Sequence, residues 1–280
     1  LLQLEVLRSM AARPGELSIG VEWFQRPFQP ALDDYLAGKI EEAEMLRRTE
    51  YYQRWRFDYR LYRPIMRFAK ERGIRIVALN ASRELTSEVR RVGIEALADA
   101  NRTDLPESYD FSDTEYERIL RETFDSHPTG SSDFRRFFEV QLTWDESMAE
   151  AVANYLQADP NHRMLVLAGR GHIAGRRGIP NRVTRRTGLR GSTMATFIPS
   201  STAFNAIDYL VLANEQSLPP AGLMRTLLDE REGGLFVTGF AGGSPAHQAG
   251  VKEGDRIVGI NSEPIERFAD LKIAMLDLEP

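Results

Sequence analysis

The stretch Tyr51-Tyr52-Gln53-Arg54-Trp55-Arg56-Phe57-Asp58-Tyr59-Arg60-Leu61-Tyr62-Arg63-Pro64 gathers aromatics and arginines in a chain that is 9% aromatic overall. Aromatic faces stack on planar ligands, guanidinium groups pair with carboxylates or phosphates, and a tyrosine phenolate can ligate ferric haem. A packing stripe edged by solvated arginines has the same composition, and the residues alone favour that plainer use. His172 is a different kind of candidate. It stands in Gly169-Arg170-Gly171-His172-Ile173-Ala174-Gly175, directly after an apolar run. An imidazole there can bind a metal, hydrogen-bond a ligand or move a proton near neutral pH. The surrounding glycines let backbone come close to a ligand, which tips His172 toward function rather than turn-making.

Glu22 closes the run Leu17-Ser18-Ile19-Gly20-Val21 and precedes Trp23-Phe24. If its strand neighbours the one before His172, the two side chains make a metal-binding or proton-transfer pair. Otherwise Glu22 is a helix-start carboxylate compensating a dipole. Phe134, Phe137, Phe138, Gln141, Trp144, Asp145, Met148 and Val152 share one face of a long helical pattern. Gln141 and Asp145 interrupt its apolar character, and buried polar groups need partners, so they are structural fixtures or part of a site wall. Met148 has the chemistry of a haem ligand but the position of a packing residue. His127 and His162 fall in polar loop segments and are expected to face solvent.

These residues need elements to position them. Leu17–Val21, Ile74–Leu79 and Met164–Ala168 read as buried strands. Helical periodicity covers about 33–48, 64–72, 86–99, 114–124 and 132–157. The alternation predicts an α/β fold, a mainly parallel sheet flanked by helices, with ligands at the carboxyl ends of the strands. Pro64 and Pro180 suit helix starts, Gly73 a left-handed position past a helix end, and Ser131 or Ser132 the cap of the long helix. Two more apolar runs, Thr193–Ile198 and Ala206–Ala213, precede Pro219-Pro220. Beyond them, short strands with glycine turns predict a small β-rich module, so the domains are expected at 1–216 and 217–280.

Composition narrows the function. The net charge of -5 argues against a general nucleic-acid binder, and no run of about twenty apolar residues could span a bilayer as a helix. Without cysteine there is no disulfide, thiolate site or cysteine nucleophile, so any metal must use His, carboxylate or Tyr. No Ser-His-Asp arrangement at recognisable spacing, nucleotide-binding glycine loop or zinc-type histidine pair occurs, which argues against the common enzyme classes.

Val21-Glu22 with Trp23-Phe24, Trp55, Tyr62-x-Pro64, Ala78-Leu79-Asn80, Gln141-x-x-Trp144-Asp145-x-x-Met148-Ala149 and Ala168-Gly169-Arg170-Gly171-His172 followed by Gly178-Ile179-Pro180 are each weak, but their order and spacing are specific. Together they resemble the ChaN-like family of bacterial haem-binding proteins, related to the Tiki and erythromycin-esterase-like proteins. The resemblance implies haem binding, with Glu22, Tyr62 and His172 as site residues, Tyr62 and His172 as metal ligands, and Trp55, Gln141 and Asp145 in support. It also implies a homodimer sharing the ligand and an exported lipoprotein of iron or haem uptake, in the periplasm or at the outer membrane, attached only by a lipid anchor lost with residues before Leu1. The family's Gly-Glu-x-His stretch would precede Leu1 too. The alternative for the same residues is a metal-dependent hydrolase in which Glu22 and His172 hold a divalent metal and activate water.

Gly243-Ser244-Pro245-Ala246-x-x-Ala249-Gly250-Val251-x-x-Gly254-Asp255-x-Ile257-Val258-x-Ile260-Asn261 resembles bacterial PDZ domains. Such domains add a peptide or protein C-terminus to a sheet edge and hold its carboxylate on loop amides. The resemblance places that loop at Ala221-Gly222-Leu223-Met224 and the groove helix at 268–276, with a closing strand expected beyond Pro280. In a third reading this module is the functional centre, an adaptor tethering the larger domain to a partner.

Overall fold

Strands with apolar centres in a parallel sheet need cover on both faces. In the computed structural model, which describes residues 1–99, 102–126, 133–197, 207–214 and 216–278, the expected runs form β1 (Leu17–Gln25), β2 (Arg75–Asn80) and β3 (Arg163–Leu167). They make a parallel sheet in the order β2-β1-β3, with Ile19 beside Ile76 on one side and Leu165 on the other.

In chain order the helices are α1 (Leu2–Ala11), α2 (Gln29–Leu36), α3 (Glu42–Arg48), α4 (Tyr51–Arg54) and α5 (Arg63–Glu71). There follow α6 (Arg83–Val92), α7 (Ile94–Asp99), α8 (Thr114–Ser126), α9 (Phe134–Ala158) and α10 (Ile179–Thr187). A short parallel pair, β4 (Met194–Thr196) and β5 (Tyr209–Val211), comes next. Among the described residues no helix is long and apolar enough to cross a membrane.

Local chemistry explains where these elements depart from the periodicity. The pattern over 33–48 divides into α2 and α3 because Gly38 (φ 69) and its neighbours form a turn. The pattern over 86–99 breaks at Gly93, whose φ of 91 no side chain tolerates well; α6 starts earlier, capped by Ser82. Asp133 caps α9, accepting from the Arg136 N–H at 3.2 Å, whereas Ser131, Ser132 and His127 lie outside the described residues. His162 does not face solvent: its ring stacks on Tyr155 at 4.4 Å and its Nδ1 sits 3.0 Å from the Tyr155 carbonyl.

By its internal contacts the chain divides into two units. The first is Leu1–Lys39 with Pro64–Asn214; the second is Ile40–Arg63 with Glu215–Pro280. The aromatic and arginine stretch thus groups with the C-terminal module rather than with the parallel sheet. Charge pairing is a physical reason: Arg47 lies 3.8 Å from Asp270 and 3.5 Å from Glu263, and Arg63 bridges Glu42 at 2.8 Å and Asp277 at 2.9 Å.

In the first unit, Ile19, Val21, Ile76, Leu79, Met148 and Val152 are buried around the sheet and α9. The helix also carries Glu146 fully buried, which is tolerable only with full pairing. It meets Arg182 at 3.1 Å, Arg185 at 2.8 Å, Arg186 at 2.6 Å and the Asp110 N–H at 2.8 Å.

In the second unit, β6 (Thr226–Arg231), β7 (Gly234–Phe240) and β8 (Arg256–Ile257) form an antiparallel sheet in that order, leaving β6 at an edge. With β9 (Gly259–Ile260), β10 (Glu263–Pro264), α11 (Pro245–Gln248) and α12 (Phe268–Ala274) it encloses Leu235, Val237, Ile257, Ile265 and Leu271. Buried Ser244 caps α11, accepting from the His247 N–H at 3.2 Å while donating to the Met224 carbonyl at 2.8 Å. Ser244→Ala should therefore cost about 1–2 kcal/mol in urea denaturation, since a cap and a half-buried carbonyl lose their partner together.

Candidate functional site

All three strands of the first unit run the same way, so their carboxyl ends lie along one edge of the sheet, and the chain passes from β1 to β2 on one side and then from β2 across β1 to β3 on the other. Such a switch point is where open α/β sheets bind ligands. Glu22 lies on β1 just past its last residue paired to β3, Asn80 ends β2, and Gly169 to His172 follow β3 through a 3-10 turn, Arg170–His172.

His172 is held from two sides. Its Nδ1 lies 2.6 Å from Asp145 Oδ1 on α9, and its Nε2 lies 3.3 Å from Glu22 Oε1. Burial would lower the imidazolium pKa, but the charge and hydrogen bond of Asp145, then those of Glu22, outweigh it and raise the pKa to about 10. At neutral pH the ring is an imidazolium donating from both nitrogens. The partners are themselves fixed: Tyr116 O–H donates to Asp145 Oδ2 at 2.6 Å, the Gly169 N–H donates to Glu22 Oε2, and the Asn80 side-chain amide donates to the Glu22 carbonyl at 3.0 Å. Burial, and then the Asp145 charge, push the Tyr116 phenol well above its ordinary range, so it remains a neutral donor. The Arg182 guanidinium lies 4.4 Å from the Tyr116 ring centre and joins this chain to Glu146.

Next to His172 in the same turn stands an uncompensated cation. All three guanidinium nitrogens of Arg170 are buried without a hydrogen-bond partner among the described residues. Burying an unpaired guanidinium is costly, and an arriving carboxylate relieves that cost through paired N–H donors.

Of the residues expected from the sequence, Glu22, Asp145 and His172 meet directly. Gln141 lies one turn before Asp145 on α9 and is half-buried. Trp55 and Tyr62 belong to the second unit, where the indole N–H of Trp55 donates to the Tyr62 oxygen at 3.2 Å. His172, expected as a metal ligand, has both ring nitrogens facing carboxylates in this arrangement. Glu22 and Asp145 also stand on opposite edges of the ring rather than converging, and among the described residues no group of three or more His, Asp or Glu side chains is placed to hold a metal ion. Tyr116, Arg182 and the orphaned nitrogens of Arg170 were not foreseen; nothing in the local sequence around Tyr116 marks it as the partner of a residue on another helix.

In the second unit Ala221, Gly222 and Leu223 line a cavity of about 640 Å³ with Phe268, Met275 and Leu276. The side chain of Met224, next in the expected loop, packs against the module's core.

A family described as haem-binding uptake, Tiki superfamily, ChaN matches residues 1–183, and a PDZ domain matches residues 236–275. A solved structure of cofacial heme binding to ChaN of Campylobacter jejuni aligns with a TM-score of 0.56 at 16% sequence identity, covering 75% of this chain and 80% of that one. No curated protein matches significantly.

Proposed function

We propose, from the premise that the chain belongs to the haem-binding uptake family of the Tiki superfamily that includes ChaN, that it binds haem through its propionates at the carboxyl end of the parallel sheet. The observation that carries this reading is Arg170, a buried guanidinium with no partner among the described residues, adjacent in one turn to the doubly hydrogen-bonded His172. The donor set fits an anionic group, because Arg170 would take a propionate carboxylate through its unpartnered N–H groups. Haem would supply ferric iron, and Tyr62, whose oxygen accepts the Trp55 N–H, is proposed as a residue that would hold it. In this role the protein is an exported haem carrier of iron uptake, a lipoprotein of the periplasm or outer membrane whose two copies share the ligand. The PDZ domain recognises the C-terminus of a partner.

Titration of the protein with hemin should give a saturable Soret shift. Arg170→Ala should weaken binding about ten- to a hundredfold, the cost of a lost charge-assisted carboxylate pair. Tyr62→Phe should change the spectrum of bound haem. Sedimentation with and without hemin reads the shared-ligand dimer. A titration without saturation, with both variants indistinguishable from the wild type, overturns the proposal.

A further inference from the structure

The peptide groove of the second unit has an additional wall. β6 is an edge strand with one side unpaired, and α12 lies across the groove from it, which is the arrangement that accepts an extended peptide. The Gly222 N–H is taken by the Leu278 carbonyl at 3.0 Å, whereas the N–H groups of Leu223 and Met224 have no partner among the described residues and are free for a terminal carboxylate. The same cavity is lined by Tyr52, Gln53, Arg56, Asp58 and Arg60, residues far from the PDZ-matched segment in sequence. Arg47 to Asp270 at 3.8 Å and Arg63 to Asp277 at 2.9 Å tie their segment to α12 and the turn after it.

The charges along this cavity are not balanced locally. Asp58 is satisfied by Arg60, whose guanidinium reaches its carboxylate at 2.7 Å and 3.0 Å, and Glu230 accepts the Phe268 N–H at 2.8 Å. Burial works against the Asp58 carboxylate, yet the Arg60 hydrogen bonds and charge, and then the Lys272 charge, hold it below its ordinary range. Lys272 itself forms no ion pair among the described residues and lies 5.2 Å from the Phe268 ring centre. Arg56 is exposed, likewise without an ion pair among the described residues, and sits at φ 71, a conformation that costs a non-glycine residue. Two cations without an ion pair among the described residues therefore line the groove, one from each wall.

We infer that the segment Ile40–Arg63 completes the peptide groove and that Arg56, with Lys272 opposite, selects C-terminal peptides bearing acidic side chains upstream of an apolar terminal residue. The inference rests on the peptide-recognition reading given above. The terminal carboxylate lies on the Leu223 and Met224 amides, and upstream Asp or Glu side chains meet Arg56 and Lys272. Charge complementarity of this kind sets partner choice more than total affinity.

The test is fluorescence anisotropy on the full chain with fluorescein-labelled peptide pools that share an apolar C-terminal residue and differ upstream in being acidic, neutral or basic. The acidic pool should bind roughly tenfold tighter than the basic one. Arg56→Gln and Lys272→Gln should each weaken it about two- to fivefold and leave the neutral pool unchanged, in keeping with partly exposed charge pairs. Reversing both residues to Glu should invert the preference, and circular dichroism melts confirm that each variant folds. Equal affinity for all three pools, with silent Gln variants, overturns the inference and leaves peptide recognition standing. Binding of a C-terminally amidated acidic pool as tight as the free-acid pool also overturns it, as surface attraction without a groove. No binding of any pool above its amidated control removes the peptide-recognition reading and the inference with it.

Discussion

Asp145→Asn should lower the stability of the protein by about 3 kcal/mol at neutral pH, roughly 10 °C in melting temperature for a unit of this size. The amide keeps the shape of the carboxylate and can still accept the Tyr116 O–H, but it removes the charge that holds the buried imidazolium. The effect has a pH signature. The folded-state pKa of His172 is raised from 6.5 to about 10, so the stabilisation from its protonation is fully present below about pH 6.5 and is lost as pH rises toward 10. Wild-type stability should therefore decline across that interval by several kcal/mol more than that of His172→Gln, which has no imidazole to titrate. With Asp145→Asn the decline should begin at lower pH, because only Glu22 then supports the charge. Urea denaturation at successive pH values checks both statements. Superimposable profiles for the three proteins would show that His172 is not charged in the folded state.

Gly178→Ala should cost about 3 kcal/mol or more and displace His172, while Gly171→Ala, seven positions away in the same glycine-rich region, should fall within about 0.5 kcal/mol of wild type. A Cβ on Gly178 would stand 2.2 Å from the His172 carbonyl oxygen and 2.7 Å from its carbon, whereas one on Gly171 would meet nothing within 4 Å. The atoms in the way are backbone, so no rotamer change relieves the clash, and the turn carrying Arg170 and His172 must move. Hemin titration of Gly178→Ala should accordingly show the same weakening as Arg170→Ala. Equal melting temperatures for the two glycine variants would place Gly178 elsewhere than against this turn.

The parts of the site that proved legible were those encoded locally. Glu22 near the end of one apolar run and His172 just after another were legible as candidates, because open parallel sheets bind ligands at the carboxyl ends of their strands, but that β1 and β3 are neighbours, so that the two side chains meet, came only from the fold. Asp145 was visible as a polar interruption on an apolar helix face, although its partner was not. Tyr116 and Arg182 were hidden because each enters from a different helix, and no spacing in sequence reports on which helices pack together.

By itself the sequence determined the alternation of strands and helices, several helix ends, the glycine-rich turn after β3 and the PDZ-like phrase, because propensity, capping and hydrophobic period act over a few residues. Tertiary structure alone decided that Ile40–Arg63 joins the C-terminal module and that His172 is a charged donor held between two carboxylates. The first depends on ion pairs between residues as far apart as Arg63 and Asp277, the second on burial together with charges brought from other elements. Both are properties of distance in space, which the order of residues along the chain does not contain.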